Sequence, residues 1–185
     1  QTADLNATKW EKQNAAARGD AGSPRIKTAA PIPLDDLEAV AEYFELACVA
    51  VAESSDVSIS ELRGLRPAQV PLIVREVLEA TMVLFAEETD WRTARKVMAR
   101  SFRKALVDFD KDQVQLSTLD ALLGYTWLAD ARFDPLAAFA ELSTVAGVIC
   151  QWVRAAYTYA RALAAAGPKM LVLQEAARKR ARERV

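Results

Sequence analysis

The C-terminal part of this chain carries two apolar heptad stripes on what is predicted to be one long helix. Each stripe repeats apolar residues at alternating spacings of four and three, which is the pattern of a coiled-coil seam. A simple coiled coil needs one such seam, so this helix either packs on two sides or meets a partner helix in two registers. The first stripe runs Val145, Val148, Trp152, Ala155, Tyr159, Ala162, Ala166, and the second runs Ile149, Val153, Ala156, Ala160, Leu163, Gly167, Met170.

A shorter heptad stripe lies near the start of the chain, over residues 34–54, with acidic residues around it. Three heptads are the minimum length for a coiled-coil prediction, and the same spacing also suits an amphipathic helix in a bundle. Residues 1–33 before it are polar and contain three prolines, which predicts a linker or a poorly ordered arm. The stripe consists of Leu34, Leu37, Ala41, Phe44, Cys48 and Val51.

Helix-start signals divide the segment between the stripes into several short helices. Capping boxes are predicted at Ser58 and Ser117, and Asp90 and Asp134 are predicted N-caps, the latter followed by a proline. From residue 136 the pattern allows one helix to the end, interrupted at Gly167 by the following proline. Few glycines and many alanines favour an all-α fold. The predicted helices cover residues 71–85, 91–100, 102–109 and 118–123.

Most kinds of catalytic and metal site are excluded by composition. The chain has no histidine, no phosphate-binding glycine loop and two isolated cysteines, Cys48 and Cys150. We expect two buried thiols in a reducing compartment, with a disulfide between them left open. A calcium-loop spacing at residues 108–112 fails, because Gln113 and Leu119 stand where the loop needs glycine and glutamate. We therefore expect no enzyme activity and no cofactor.

Charge is balanced overall, with a formal net charge of -1, but one segment is strongly basic. A basic run is usually a solvated helix face, and it also attracts acidic partners in a salt-dependent way. Nucleic acid is a weaker candidate, because the few aromatic residues lie at core spacing. No apolar run is long enough to span a membrane. The six cations between residues 91 and 104 are Arg92, Arg95, Lys96, Arg100, Arg103 and Lys104.

Six short segments of the chain, taken in the order in which they occur, resemble the stalk and microtubule-binding domain of dynein heavy chains. The most specific is CQWVRA at residues 150–155, whose cysteine before the tryptophan is similar to axonemal rather than cytoplasmic forms. The resemblance covers roughly residues 53–173. The other segments are ISELR at 59–63, VPLIVREVLEA at 70–80, TDWR at 89–92, FDKD at 109–112 and RFDP at 132–135.

The resemblance implies a compact bundle of about six helices at the tip of a two-stranded antiparallel coiled coil. Its parts would be a first stalk helix at 34–58, a microtubule-binding domain at 59–144 and a second stalk helix at 145–185. It implies α/β-tubulin and the rest of the dynein heavy chain as partners, in the axoneme of a cilium or flagellum. The resemblance also implies an ATPase ring that slides one stalk helix against the other, and we expect this ring to lie outside the present chain.

The resemblance also assigns roles to particular residues. It implies a tubulin-facing position for Arg75, with Arg63 and Arg66 nearby, and the basic run would add to this surface. The seam of the second stalk helix would carry the register switch. The implied microtubule-binding residues are Arg63, Arg66, Arg75, Arg92, Arg95, Lys96 and Arg103, and the implied switch residues are Trp152, Val153, Ala156, Tyr159, Leu163 and Pro168.

One segment departs from the pattern of the family. Cytoplasmic relatives carry a key cation in the last domain helix, whereas residues 138–142 here read AFAEL and contain no cation. Glu141 would repel an acidic microtubule surface. An alternative function is therefore a docking module that binds an axonemal protein or a leucine-rich-repeat light chain through Phe139 and Glu141. The track-binding hypothesis requires the two stalk segments to pair antiparallel.

Overall fold

A computed structural model describes residues 36–99, 101–130, 132–140 and 142–182, with side-chain surroundings up to residue 167. Within these ranges all regular structure is helical, which confirms the all-α prediction. None of the helices in the described part combines the length and apolar character needed to cross a bilayer. The arm predicted at 1–33 lies outside the described residues, as do Leu34 and Glu141.

Eight α-helices and three 3₁₀ turns follow one another in the described ranges. The turns cover Pro67–Gln69, Lys111–Gln113 and Thr126–Leu128. The α-helices are α1 (Leu37–Glu53), α2 (Asp56–Gly64), α3 (Leu72–Leu84), α4 (Trp91–Val97), α5 (Phe102–Val107), α6 (Leu116–Leu122), α7 (Pro135–Phe139) and α8 (Thr144–Arg182).

Helices α1 and α8 lie side by side and run antiparallel. The ring of Phe44 lies 6.1 Å from the ring of Trp152. Val40, which is nearer the start of α1, packs with Tyr159 and Ala162, which are farther along α8. Because residue numbers fall along one helix as they rise along the other, the two directions are opposite. This is the pairing that the track-binding hypothesis requires.

Up to Ala162, both apolar stripes of α8 are buried apart from the half-buried Val148, because the helix has neighbours on two sides. Helix α1 covers one side, and α3, α6 and α7 cover much of the rest. Trp152 and Ala155 of the first stripe and Val153 and Ala156 of the second are all fully buried. Two-sided packing, one of the two interpretations left open by the sequence, thus accounts for both stripes without a second register.

Trp152 lies at the point where the α1–α8 pair joins the rest of the bundle. It is fully buried, and aromatic rings from three other segments surround it. Phe44 comes from α1, Phe85 follows α3 at a ring distance of 6.0 Å, and Phe109 follows α5 at 5.2 Å. Large aromatic side chains packed in this way contribute several kcal/mol to stability.

Two of the predicted helix starts are confirmed and two are wrong. Asp90 and Asp134 accept hydrogen bonds from the first backbone N–H groups of α4 and α7, as predicted. Helix α2 begins earlier than the predicted box at Ser58, because the Ser55 hydroxyl already accepts from the Val57 N–H at 3.1 Å. Helix α6 begins at Leu116 without a side-chain cap, so the box at Ser117 is also wrong.

The helix predicted to run from residue 136 to the interruption at Gly167 is divided in two. Helix α7 ends at Phe139, and α8 begins at Thr144, where the Ser143 hydroxyl accepts from the Ala146 N–H at 3.3 Å. The break lets α7 fold back onto the start of α8. The interruption predicted near the end is confirmed at Gly167, whose φ of 57° and ψ of -158° are not helical.

A glycine in α8 allows α7 to approach closely. A Cβ atom at Gly147 would lie 3.1 Å from the Cβ of Phe139 and 3.2 Å from the carbonyl oxygen of Pro135. Both distances are shorter than ordinary van der Waals contacts, so a side chain here requires Phe139 and the backbone of Pro135 to move by a few tenths of an ångström. The position of α7 therefore depends on the absence of a side chain at residue 147.

We predict that Gly147→Ala lowers the free energy of unfolding by about 1–3 kcal/mol, because the added methyl group overpacks this contact. Gly124→Ala is the matched control, since a Cβ there meets nothing within 4 Å and its backbone is not left-handed. Urea unfolding followed by circular dichroism measures both. Equal stability of the two variants would contradict the close contact between α7 and α8.

Candidate functional site

An open groove lies where the end of α2, the turn Pro67–Gln69 and the start of α4 meet. It encloses about 460 Å³. Four cations line it, together with one carboxylate and the side chains of Trp91 and Pro67. We call it the basic groove; its charged residues are Arg63, Arg92, Arg95, Lys96 and Asp90.

The wall of the basic groove is fixed by one hydrogen bond between helices. The Nε of Arg63 on α2 donates to the carbonyl oxygen of Arg95 on α4 at 3.0 Å. The side chains of Arg92, Arg95 and Lys96 remain exposed along α4. Three residues of the basic run therefore face the groove together with Arg63, which lies about thirty positions earlier in the chain.

The single carboxylate that lines the groove already accepts hydrogen bonds from within the chain. Asp90 accepts hydrogen bonds from the hydroxyl of Thr93 at 2.6 Å and from the backbone N–H groups of Arg92 and Thr93. The Thr93 hydroxyl and these N–H groups lower the pKa of Asp90, which keeps it ionised as the cap of α4. The negative charge of Asp90 faces the partial positive charge at the N-terminal end of α4. It therefore neutralises less of the positive charge of the four cations in the groove.

Arg75 and Arg66, which the resemblance assigns to the tubulin-facing surface, lie at the border of the groove. The Nη2 of Arg75 donates to the carbonyl oxygen of Pro67 at 3.0 Å, which holds the turn that forms one edge of the groove. Arg66 is exposed, and its backbone N–H donates to the side-chain oxygen of Gln69 at 3.1 Å. Arg75 thus positions the groove edge, and Arg66 belongs to the same turn region.

Arg103 lies apart from the basic groove, at the junction of α1 and α2. Its Nη1 donates to the carbonyl oxygens of Ser54 at 2.9 Å and Ala52 at 3.4 Å, and its Nη2 pairs with Asp56 at 3.1 Å. These contacts join the last carbonyls of α1 to the first residue of α2. The structure therefore gives Arg103 a bracing position between the two helices.

Phe139 is not on an exposed face, which corrects the proposed partner surface. Its side chain is fully buried against α8, in the space left by Gly147. Sequence periodicity could not reveal this, because α7 has only five residues and turns back onto α8. The exposed apolar residues near it are Leu136 and Leu142.

Arg154 is a structurally important residue that sequence reasoning missed. Its Nη2 donates to the carbonyl oxygen of Asp130 at 2.9 Å, and its Nη1 donates to that of Phe133. Its guanidinium carbon also lies 5.6 Å from the ring of Phe133. Arg154 therefore orients the loop that leads into α7. Backbone carbonyl acceptors leave no mark in a sequence, so no signal could have identified this role.

The predicted switch residues divide into two groups along α8. Trp152, Val153 and Ala156 lie in the main core, whereas Tyr159 packs in the α1–α8 seam together with Leu163. The side-chain surroundings of Pro168 lie outside the described residues. The second group packs against Leu37 and Val40 of α1 in a cluster separate from the main core.

The seam is also touched by the turn Lys111–Gln113, whose FDKD sequence was part of the resemblance but whose contacts with the seam were not predicted. The Nζ of Lys111 lies 3.1 Å from the carboxylate of Glu45 on α1. The hydroxyl of Tyr159 donates to Asp112 at 2.6 Å. Burial first, and then Asp112, raise the pKa of Tyr159, so its hydroxyl keeps the proton that it donates.

Neither cysteine is available for chemistry at neutral pH. Cys48 and Cys150 are free and buried, and desolvation is the main cause that raises the pKa of each thiol. In the described ranges no three His, Cys, Asp or Glu side chains converge on a metal-sized site. Of the two alternatives for the cysteines, separate buried thiols are the one observed.

A family model described as the microtubule-binding stalk of dynein motor matches residues 35–184. The chain belongs to this family. Dynein axonemal heavy chain 2 of Homo sapiens is 30% identical over 144 residues, which cover 76% of this chain and 3% of the relative. Dynein axonemal heavy chain 1 of Mus musculus is 37% identical over 75 residues, covering 40% and 2% respectively. The chain thus spans about 3% of the length of the first of these relatives.

In this dynein stalk domain Arg103 is held by contacts within the chain, whereas Arg92 is exposed in the basic groove. We predict that Arg103→Met lowers the free energy of unfolding by about 1–2 kcal/mol, because Asp56 and two carbonyl groups lose their donor. Arg92→Met should change it by less than about 0.5 kcal/mol, since Arg92 is exposed in the groove. Urea unfolding measures both variants. An equal loss in the two would contradict the bracing position of Arg103.

Proposed function

We propose that this dynein stalk domain binds the acidic surface of tubulin in microtubules through its basic groove. The observation that carries the proposal is the gathering of four cations around one carboxylate that already caps a helix. Such a cluster attracts an acidic surface, and the attraction weakens as salt rises. Arg75 and Arg66 border the same groove. The names of the axonemal relatives favour the axoneme of a cilium or flagellum as the site of action.

We further propose that sliding of α1 against α8 sets the affinity for the microtubule. Support comes from a chain of contacts that leads from α1 to the groove. Arg103 braces the end of α1 against Asp56 at the start of α2. At the other end of this nine-residue helix, Arg63 holds the carbonyl group of Arg95 in the groove wall. A displacement of α1 would therefore tilt α2 and move a groove cation relative to α4.

The alternative is a docking module that binds an axonemal protein or a light chain instead of tubulin. One observation favours it: Leu136 and Leu142, at either end of the α7 segment, are 39% and 49% exposed. No cation lies between them. A surface of this kind suits an apolar contact with a protein better than contact with an acidic track.

We predict that Arg92→Glu combined with Lys96→Glu weakens binding to polymerised microtubules on the order of tenfold at low salt. The reason is that two groove cations become repulsive toward an acidic partner. Arg132→Glu combined with Arg161→Glu is the matched control, because it reverses two exposed cations outside the groove. Co-sedimentation across a salt series measures the affinities.

The outcome separates the two functions. Salt-sensitive binding that falls in the groove variant and persists in the control supports tubulin binding through the groove. Absence of sedimentation at low salt with the parent chain would reject it and favour the docking module. In that case Leu136→Asp with Leu142→Asp should abolish capture of the axonemal partner.

A further inference from the structure

The turn Lys111–Gln113 touches both helices of the α1–α8 seam through one side chain. The Nζ of Lys111 pairs with Glu45 at 3.1 Å and lies 5.3 Å from the ring centroid of Phe44, both on α1. The same atom lies 5.2 Å from the ring centroid of Tyr159 on α8. The Lys111 side chain is only 21% exposed, so its charge is held between the two helices rather than in open solvent.

The neighbouring residue fixes the turn to α8. The Tyr159 hydroxyl donates to the Asp112 carboxylate at 2.6 Å, a short bond of the kind made to an ionised acceptor. The Asp110 carboxylate accepts from the backbone N–H of Asp112 at 3.1 Å and sets the conformation of the turn. The turn therefore presents its acid to α8 and its cation to α1.

The other end of the turn is anchored in the bundle. The ring of Phe109 lies 5.2 Å from that of Trp152 and 5.9 Å from that of Phe85. Because Phe109 is two residues from Lys111, the turn cannot follow α1 along the seam without disturbing this aromatic cluster. The Lys111–Glu45 contact is therefore the one that must break if α1 moves.

We propose that Lys111 and Asp112 form a latch that holds α1 and α8 in the register of this structure. The inference rests on the proposed function, in which register sets microtubule affinity. A shift of half a heptad moves α1 on the order of 5 Å along α8. Lys111 cannot keep its contacts with Glu45, Phe44 and Tyr159 over such a distance. Leaving this register therefore breaks an ion pair and one cation–π contact together.

The latch also makes the two directions of sliding unequal. Glu42 lies one turn before Glu45 on α1 and is exposed. A slide that brings Glu42 to Lys111 restores an ion pair, although Ala41 then replaces Phe44 beneath the ammonium group. A slide the other way brings Cys48 and Val49, which offer no acid. The latch therefore resists the second direction more strongly than the first.

Distances between spin labels on the two helices would test the latch. Labels at cysteines introduced for Val49 on α1 and Ala164 on α8 would sit at exposed positions, with Cys48 and Cys150 replaced by alanine. Pulsed electron–electron double resonance on this 185-residue chain then measures the distance between the two labels, which reports the register. The parent should give one dominant distance. Lys111→Met, which keeps the aliphatic stem, should add a second population displaced on the order of 5 Å.

Three further variants show whether a change in the distance comes from loss of the Lys111–Glu45 ion pair. Lys111→Arg keeps the charge and should keep the single distance, whereas Glu45→Gln should behave like Lys111→Met. Arg132→Gln removes a cation whose ion pair lies on the surface, so it should leave the distance unchanged. If Lys111→Met does not fold, Glu45→Gln decides, because the Glu45 side chain is 64% exposed and its loss leaves no cavity.

An unchanged distance distribution in both Lys111→Met and Glu45→Gln would overturn the latch. Co-sedimentation of the same unlabelled variants with microtubules keeps this failure distinct from failure of the proposed function. A parent that binds microtubules while the distances stay fixed rejects the latch alone. A parent that does not bind, combined with shifted distances, rejects track binding and leaves the latch in place.

Discussion

Burial of the Trp152 indole among aromatic rings is the interaction on which the rest of this structure depends. Phe44, Phe85 and Phe109 reach the indole from α1, from the end of α3 and from the turn after α5. Removing such a side chain costs several kcal/mol, which exceeds any surface ion pair in the chain. The stalk pair and the bundle therefore share one core, and a change in the pair is felt by the bundle. The proposed coupling of register to microtubule affinity requires this continuity.

The contacts that a register shift would break are smaller in energy. Moving Phe44 away from the seam forfeits part of a contribution of about 1.5–3 kcal/mol, and the cation–π contact adds about 0.5–2 kcal/mol. Together they amount to a few kcal/mol. Shifting a two-state equilibrium from 1:99 to 99:1 takes about 5.5 kcal/mol, so contacts of this size leave the proposed register switch within reach of a modest external bias. Ala41 and Ala162 lie in the part of the α1–α8 seam that contains Val40 and Tyr159. Their small side chains would let the helices slide there with little steric resistance.

Sequence reasoning succeeded where local chemistry decides the outcome. The 3-4 spacing of apolar residues predicted α1 and α8, and aspartates directly before helices predicted the caps at Asp90 and Asp134. It failed at Ser58, because an equally suitable cap stands three residues earlier at Ser55. It also failed at Phe139, because the space beside Gly147 exists only once α7 has folded back.

In the candidate site, too, local sequence patterns were predictable and contacts between distant residues were not. The basic run was visible in the sequence, but its separation into groove cations and the bracing Arg103 depends on contacts about fifty residues apart. The FDKD segment was visible in the sequence, but the contacts of Lys111 were not, since Glu45 and Tyr159 lie 66 residues before it and 48 after it. Charged residues of one type look alike in a sequence, and only tertiary contacts decide which of them bind internally and which stay free for a partner.

We propose that the register of α1 against α8 controls microtubule affinity. The most direct test of this proposal fuses the start of α1 and the end of α8 to a rigid antiparallel coiled coil in two registers that differ by half a heptad. Microtubule affinity is then measured by co-sedimentation at one salt concentration. Affinities that differ by at least about tenfold, equivalent to about 1.4 kcal/mol, are the predicted result. Equal affinities in two well-folded fusions would contradict the account.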